Sequence, residues 1–408
     1  MILDSRNYPR DYRPRLRPSI GPVQSLQPGQ IGLVDTQRLV PGGLTLSTVA
    51  LPILRQFNGE HTLGEIQDAI GPQLPWDALT QFVAMLDETL FLDSPMFEEY
   101  LTSRERLPSC VGTYPDEPDA IRVMLGNLFT AKDGPGTPLA TSSRCDPAER
   151  LRAVLVPHMD YKRGGVTYGW GFKELIERTD ASLFVIVATS HYSHHRFTLT
   201  RKNFTTPLGT VETDQAYLDR LVNYYGDGLF ADPYAHLPEH SIELEVLLLQ
   251  YLLERHRPFR IVPLLVGSFH DCIQEGVSPQ AKPDIARMVR ALQHAEAEAG
   301  ERVCYIISGD LAHIGPKFHD PEPIHPVWLA ASKAQDERLL AELTAANPST
   351  YFDVIANEGD ARRICGLPPT WLTLQTIQPR SGHVLHYQQY IHPMGHESVS
   401  FASAAFYD

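Results

Sequence analysis

The sequence predicts an α/β protein in which a small domain precedes a larger one. The chain has 408 residues, more than a single hydrophobic core usually serves, so two domains are expected. In the second part of the chain, short apolar runs alternate with stretches of helical periodicity, an order typical of an α/β sheet. Three of the apolar runs end just before a histidine, which predicts a site at one edge of that sheet.

The composition is that of an ordinary globular protein, with 43% hydrophobic and 21% charged residues. The net charge of −14 disfavours binding to nucleic acid or to anionic lipid surfaces. No apolar run approaches membrane-spanning length. The five cysteines are odd in number and include no CxxC pair, so a disulfide framework is not indicated. We therefore expect a cytoplasmic protein with no nucleic-acid or membrane partner.

The first part of the chain predicts a small helical module. Residues 1–19 are rich in arginine and proline and lack an apolar core, so they are expected to form a disordered arm. Residues 20–97 are typical of a small winged-helix domain, and residues 98–108 of a linker. A capping box of Thr62 and Glu65 indicates one helix start. The predicted strands are Ile31–Val34 and Leu39–Leu46, and the predicted helices are Ser47–Phe57, Leu63–Ile70 and Trp76–Leu90.

Residues 109–408 predict the α/β domain, with strands and helices in alternation. The predicted strands are Arg152–Pro157, Ser182–Thr189, Ile261–Gly267, Val303–Ile307, Val384–Ile391 and Ser398–Ala405. The predicted helices are Pro118–Phe129, Gln215–Tyr224, Ser241–Arg255, Asp284–Ala299, Pro326–Ala346 and Ser349–Asn357.

Three histidines, His158, His191 and His313, follow buried strands of this domain. In open α/β sheets, ligands bind at the carboxyl ends of the strands, so the three imidazoles are expected to converge. A single histidine at such a place is more often a hydrogen-bonded structural residue. Three at one edge concentrate polar groups that need partners, and this favours a metal site.

Two further elements carry candidate chemistry. His240 and Glu243 lie three residues apart at the start of a helix. They could contact a substrate or orient a ligand, or the acidic group could simply stabilise the helix start. Cys365 lies in a loop beside Arg362 and Arg363, and we expect these cations to favour its thiolate.

Two imidazoles and a thiolate would suit iron, copper or zinc and leave open positions for substrate. The other common catalytic signatures, GxxxxGK[ST], GxGxxG after a strand and GxSxG, do not occur. Nucleotide chemistry and ordinary esterase chemistry are therefore disfavoured.

Ordered motifs in residues 110–408 resemble the MEMO family, also called AmmeMemoRadiSam system protein B. They are VGTYPDEPDAIRVML, PHMDY, TSHY, EHSIE, VPLLVG, SGDLAH, ICG and SVSFASAAF. The resemblance implies a fold similar to class III extradiol dioxygenases. It also implies a metal held by His158, His191 and Cys365, with Asp310 and His313 beside it.

The strings GGLTLSTVALPILRQFNGEHTLGEI and FVAMLDETLFLDSP resemble the PqqD-like modules, a second family. Its members bind peptide segments or enzyme partners, often beside radical-SAM proteins. A generic winged helix used as a spacer is an open alternative, whereas DNA binding is disfavoured because acidic residues outnumber basic ones. On this division, a chain beginning near Leu107 is expected to keep the metal pocket.

The leading hypothesis is a redox or dioxygenase-related metalloprotein, with iron(II), copper or zinc as the metal. It would act with a radical-SAM or AMMECR1-type partner system, and the N-terminal module would recruit that partner or a peptide. Asp310 would orient His313 as a general acid or base, with His240 nearby as a further catalytic candidate. The alternative is a noncatalytic protein that grips a peptide or small ligand in a vestigial dioxygenase pocket.

Overall fold

The computed structural model describes residues 8–24, 27–139, 149–253 and 256–408. It divides the chain into two compact units, which meet in sequence between Arg104 and Glu105. The boundary therefore lies inside the segment 98–108 that the sequence predicts as a linker. Cys145 lies outside the described residues.

The small unit contains an antiparallel three-stranded sheet in the order β1, β2, β3. A short 3-10 turn follows the sheet, and Ser47 caps this turn by accepting from the backbone N–H of Val49. The predicted capping box of Thr62 and Glu65 is present. The elements are β1 Ile20–Gln24, β2 Gln30–Asp35, β3 Gly43–Ser47, α1 Leu51–Leu54, α2 Leu63–Ile70, α3 Trp76–Glu88 and α4 Pro95–Thr102.

Residues 8–19 differ from the disordered arm that the sequence predicts. The backbone N–H of Leu16 donates to the carbonyl of Phe57 at 2.8 Å. Arg17 forms a buried ion pair with Asp35, and its guanidinium carbon lies 3.9 Å from the centre of the Phe97 ring. Arg17 is thus part of the core of the unit, whereas the side chains of Arg10, Arg13 and Arg15 are half exposed or more.

The large unit is built on a mixed sheet, which contains eleven strands among the described residues. The main path through the sheet is β12, β14, β5, β11, β6, β10, β9, β8, β4. The central strands β5, β11, β6 and β10 are parallel, whereas β14 is antiparallel to β5. The strands are β4 Glu105–Arg106, β5 Leu151–Val156, β6 Leu183–Thr189, β7 Phe197–Leu199, β8 Asn203–Thr206, β9 Gly209–Thr213, β10 Arg260–Val266, β11 Val303–Ser308, β12 His313–Ile314, β13 Ser381–Ile391 and β14 Ser398–Tyr407.

Helices cover both faces of this sheet, as expected when parallel strands are buried on both sides. Side chains from α5, α6 and α8 pack in one core, and side chains from α7, α10, α12 and α13 pack in the other. The helices are α5 Pro118–Thr130, α6 Tyr161–Arg178, α7 Gln215–Tyr225, α8 His240–Leu253, α9 His270–Glu275, α10 Pro283–Ala297, α11 Pro326–Thr344, α12 Pro348–Asn357 and α13 Leu367–Ile377.

Helix α6 was not predicted, because four glycines interrupt its helical pattern. Two of these glycines allow close packing. A Cβ on Gly171 would lie 2.5 Å from Val156, and one on Gly169 would lie 2.6 Å from the carbonyl oxygen of Leu128. Tertiary packing therefore overrides the low helix propensity of glycine. No helix in the described part of the chain is long and apolar enough to cross a membrane.

Candidate metal centre

The site lies at the carboxyl ends of three adjacent strands. In the sheet, β11 lies between β5 and β6. His158 comes two residues after β5, Asp310 two residues after β11, and His191 two residues after β6. The strand order therefore explains why residues far apart in sequence meet at one edge, as predicted for parallel strands.

Three imidazoles form a cluster at this edge. The ring centres of His158 and His191 lie 5.0 Å apart, and those of His158 and His240 lie 5.3 Å apart. His191 and His240 are closest, at 4.7 Å. One ring nitrogen from each residue lies within 4.8 Å of the others. The third ring of the cluster thus belongs to His240, at the start of α8, rather than to His313.

Glu239 supports two of these rings. Its Oε1 atom lies 2.9 Å from Nδ1 of His191 and 3.2 Å from Nδ1 of His240. Its Oε2 atom accepts from the backbone N–H of His191 at 2.8 Å. Burial raises the pKa of the Glu239 carboxyl, but hydrogen bonds and positive charge from the two histidines outweigh burial and hold that pKa well below its usual range. Because both Nδ1 atoms are engaged, both Nε2 atoms are left to bind a ligand.

A second group of possible ligands shares His158. The Cys365 Sγ atom lies 3.2 Å from Nε2 of His158, and the Asp310 Oδ2 atom lies 3.7 Å from the same nitrogen. The donor atoms of the three residues lie within 4.8 Å of one another. The predicted ligands His158, His191 and Cys365 are therefore divided between two groups, and His158 belongs to both.

Two glycines allow the loops of this second group to approach. A Cβ on Gly309 would lie 2.5 Å from the Cα of Gly366, and one on Gly366 would lie 2.7 Å from the Asp310 carbonyl oxygen. The close approach lets the backbone N–H of Asp310 donate to the Cys365 sulfur at 3.3 Å. The loop after β11 and the loop before α13 thus hold the thiol against the end of β11.

The expectation that Arg362 and Arg363 favour a thiolate is wrong. Arg362 forms an ion pair with Asp336, and Arg363 donates to Asp320 at 2.8 Å. Burial and the charge of Asp310 instead raise the pKa of the Cys365 thiol well above its usual value. Without a bound cation, the thiol is protonated.

Burial also shifts the titration of the neighbouring groups. It raises the pKa of Asp310 to about 7. Burial, together with positive charge from His191 and His240, lowers the pKa of His158 well below its usual value. The Nδ1 atom of His158 is buried and lacks a hydrogen-bond partner among the described residues. His158 is therefore a neutral imidazole, the form that binds metals.

His313 lies beside the cluster, but Asp310 does not orient it as predicted. The Nδ1 atom of His313 lies 3.0 Å from the carbonyl oxygen of Leu311 and 3.0 Å from that of Arg363. Two acceptors at Nδ1 place the proton there and leave Nε2 unprotonated. Burial lowers the pKa of His313 to about 4. Asp310 instead accepts from the backbone N–H of His158 at 3.1 Å.

Glu243 has a structural role and does not lie among the possible ligands. It forms an ion pair with Arg106, and both side chains are fully buried. Its Oε1 atom also accepts from the backbone N–H of Cys110 at 3.0 Å. The sequence singled out His240 and Glu243 but missed Glu239 and Arg106. The position of Glu239 directly before His240 was the one feature of the sequence that could have indicated its role.

A cavity of about 340 Å³ adjoins the site. His191 and Cys365 line it, together with apolar side chains that include Val266, Phe269 and Ile364. Its volume is within the range of small-molecule sites. A compound bound there would contact one residue from each ligand group.

The large unit is similar in sequence to the proteins of a known family. The profile described as Memo-like protein matches residues 106–405. A MEMO1 family protein of Aquifex aeolicus (strain VF5) is 24% identical over 388 residues, which cover 90% of this chain and 94% of that protein. A MEMO1 family protein of Methanothermobacter thermautotrophicus is 27% identical over 272 residues, covering 66% of this chain and 86% of that protein.

Among solved structures, an uncharacterized protein of Escherichia coli K12 matches 63% of this chain and 100% of its own length. The TM-score is 0.35 and the sequence identity is 14%, a likeness too low to support a statement about fold or function.

Proposed function

This chain belongs to the Memo-like protein family, and we propose that its large unit binds one transition metal ion and carries out redox chemistry on a small substrate. The proposed ligands are His158, His191 and Cys365. Iron(II) and copper suit two imidazoles and a thiolate best, and zinc is a further candidate. Such a metal would polarise a bound substrate or change oxidation state, as in the dioxygenase-like chemistry that the resemblance implies.

The observation that carries the proposal is the contact of one buried carboxylate with two imidazoles. Metal-binding histidines commonly donate their second ring N–H to a carboxylate, which fixes the tautomer and the ring orientation. Glu239 makes this contact with His191 and His240. His158, His191 and His240 also bring three ring nitrogens within 4.8 Å of one another, which a single structural histidine would not do.

The choice of Cys365 as the third ligand rests on its access to the cavity. Both His191 and Cys365 line that cavity, so a cation between them would face a bound compound. The raised pKa of the thiol means that metal binding must displace its proton. The Asp310 carboxylate, which has an oxygen within 4.8 Å of the sulfur, would accept that proton.

His240 and His313 are the proposed acid–base groups. Glu239 holds His240 through Nδ1, and backbone carbonyls hold His313 through Nδ1. These contacts leave the Nε2 atom of each ring for a substrate, which would have to extend from the cavity at His191 and Cys365 to reach it. The lowered pKa of His313 keeps its imidazole neutral near pH 7, so it would accept a hydrogen bond from a substrate. Asp310, with a pKa of about 7, would be the nearby group that carries a proton.

Replacing Glu239 with Gln tests the proposal, because the amide keeps the shape of the side chain but removes its charge. We expect Glu239→Gln to weaken metal binding by about 10- to 100-fold, the usual loss when an outer carboxylate is changed. Iron(II) and copper(I) titrations of untagged protein give the affinity. Glu301→Gln, whose carboxylate pairs with Arg260 at the other end of the sheet, is the matched control.

Equal affinities in Glu239→Gln and the wild type would contradict the metal centre. Turnover assays on the metal-loaded protein then separate redox catalysis from the alternative, a noncatalytic pocket for a small ligand or peptide. Metal binding with no turnover of any candidate substrate would favour the alternative.

We further propose that the small unit is a PqqD-like winged-helix module that recruits a peptide or protein partner. Its own core, formed around residues such as Leu63, Leu79 and Leu86, supports an independent role. The partner in this proposal belongs to a radical-SAM system of the AmmeMemoRadiSam type, or is an AMMECR1-type protein, and the site of action is the cytoplasm.

A further inference from the structure

We propose that Arg106 is a positioning residue for the metal centre, because it holds the backbone segment that presents Glu239. The inference rests on the proposed metal-binding function and names the residue that keeps its supporting carboxylate in place. Arg106 lies in β4, the first strand of the large unit, and it is 133 residues away from Glu239 in sequence.

The guanidinium of Arg106 donates to three carbonyl oxygens of one short segment. Its Nε atom lies 3.0 Å from the carbonyl oxygen of His236. Its Nη2 atom lies 3.2 Å from that of Leu237 and 2.7 Å from that of Glu239. One planar cation thus determines the path of residues 236–239 just before α8 begins.

Arg106 is itself fixed from the other side by Glu243. The two side chains form an ion pair and are completely buried. Glu243 also accepts from the backbone N–H of Ser109 at 2.8 Å and from the hydroxyl of Tyr114. A buried ion pair is tolerated only when its remaining donors and acceptors are satisfied, so this arrangement has little freedom to move.

The contact reaches the metal centre through a single residue. The carbonyl of Glu239 accepts from Arg106, and the carboxylate of the same residue lies between the Nδ1 atoms of His191 and His240. A shift of this backbone would move the carboxylate away from both rings. Lysine cannot replace the arginine in this role, because an ammonium is a point donor without a planar fork.

The test compares Arg106→Lys with the wild type in the full chain. In metal-free protein, the ring Nδ1–H groups of His191 and His240 are measured by nitrogen-15 NMR, with assignment from His240→Ala. We expect both ring signals to shift and to exchange faster with water in Arg106→Lys. We also expect copper(I) and iron(II) affinity to fall by about 10- to 100-fold.

Arg152→Lys is the matched control, since Arg152 forms ion pairs with Glu296 and Asp408 and contacts neither histidine ring. It should lower the melting temperature without moving the ring signals. If Arg106→Lys behaves in the same way, with a lower melting temperature and unchanged ring signals and affinity, Arg106 is merely structural and the inference is overturned.

A second variant covers the case in which Arg106→Lys does not fold. Glu243→Gln keeps the arginine but removes the charge that anchors it, so its three carbonyl contacts are expected to loosen. Faster exchange of the two ring N–H groups in this variant supports the inference, and wild-type exchange rejects it. The NMR measurement is made without metal. Shifted ring signals in Arg106→Lys, together with a wild-type protein that binds no metal, would therefore sustain the role of Arg106 while rejecting the proposed function.

Discussion

Two groups of possible metal ligands share the imidazole of His158, and they differ in the chemistry of their other members. His191 and His240 complete the first group with nitrogen donors, and each of them is partly exposed. Asp310 and Cys365 complete the second group with oxygen and sulfur. Glu239 contacts two rings of the first group, whereas burial raises the pKa of both Asp310 and Cys365 in the second group.

In the proposed metal site, this difference would separate two stages of metal binding. The nitrogen group can accept a cation as it stands, apart from the proton that Glu239 favours on His191. The sulfur must first release its proton, because thiolate rather than thiol coordinates metal. We infer that the sulfur gives selectivity for soft metals and makes their affinity depend on pH, whereas the histidines provide the basal affinity.

His158→Ala is expected to have the largest effect because it removes the member common to both groups. Metal affinity should fall by more than the roughly 100-fold that follows loss of an outer contact. The metal content of purified protein, measured with circular dichroism to confirm folding, checks this result. A folded variant with wild-type metal content would show that neither group holds the metal.

Comparison of Cys365→Ser with His240→Ala tests which group holds the metal. We expect the cysteine variant to lose more metal affinity. If the sulfur is a ligand, Cys365→Ser loses a direct bond, whereas His240→Ala loses a neighbouring group and should weaken binding by less than about 10-fold. Cobalt(II) gives a separate optical readout, since a thiolate–cobalt charge-transfer band should be present in His240→Ala and absent in Cys365→Ser. The opposite ranking, without the band in the wild type, would assign the metal to the three histidines.

Asp310→Asn should change metal affinity least but should alter the pH dependence of folding. The pKa of Asp310 in the folded protein is about 7, above the value near 3.9 for an unfolded chain. The folded state therefore keeps a proton that the unfolded state has lost, so the free energy of unfolding falls as pH rises from about 4 to about 7 and then levels off. Asp310→Asn removes this fall, and its stability relative to the wild type should increase from pH 5 to pH 8.

Thermal unfolding of metal-free protein at several pH values measures this effect. Asp219→Asn, which changes an exposed carboxylate paired with Arg201, is the control and should keep the wild-type slope. Parallel stability profiles for Asp310→Asn and the wild type would show that Asp310 titrates normally.

The sequence predicted those residues of the site that lie directly after the ends of strands. His158 and His191 lie at the same sheet edge because buried apolar runs are readable as strands, and parallel strands align their carboxyl ends. The partners of Asp310 and His313 could not be predicted in this way. They depend on which carbonyl oxygens a loop turns toward a ring, and loop conformation is not encoded in residue spacing.

Ion pairs between residues far apart in the chain also could not be predicted from the sequence. One of them places the start of the large unit earlier than predicted. The sequence placed the start of the large domain after residue 108, and a chain beginning at Leu107 was expected to keep the pocket. The structure places Arg106 in the large unit, where it pairs with Glu243. A cut at Leu107 would leave Glu243 buried and unpaired, at a cost of about 3–5 kcal/mol, so the cut belongs before Glu105.

The contact between His158 and Cys365 joins residues that are 207 positions apart. A ribosome that adds 5–20 residues per second makes the histidine about 10–40 s before the cysteine. The last strand, β14, which lies beside β5 in the sheet, is made later still. A metal centre that included both residues could therefore form only after Cys365 has been made, late in synthesis or after it.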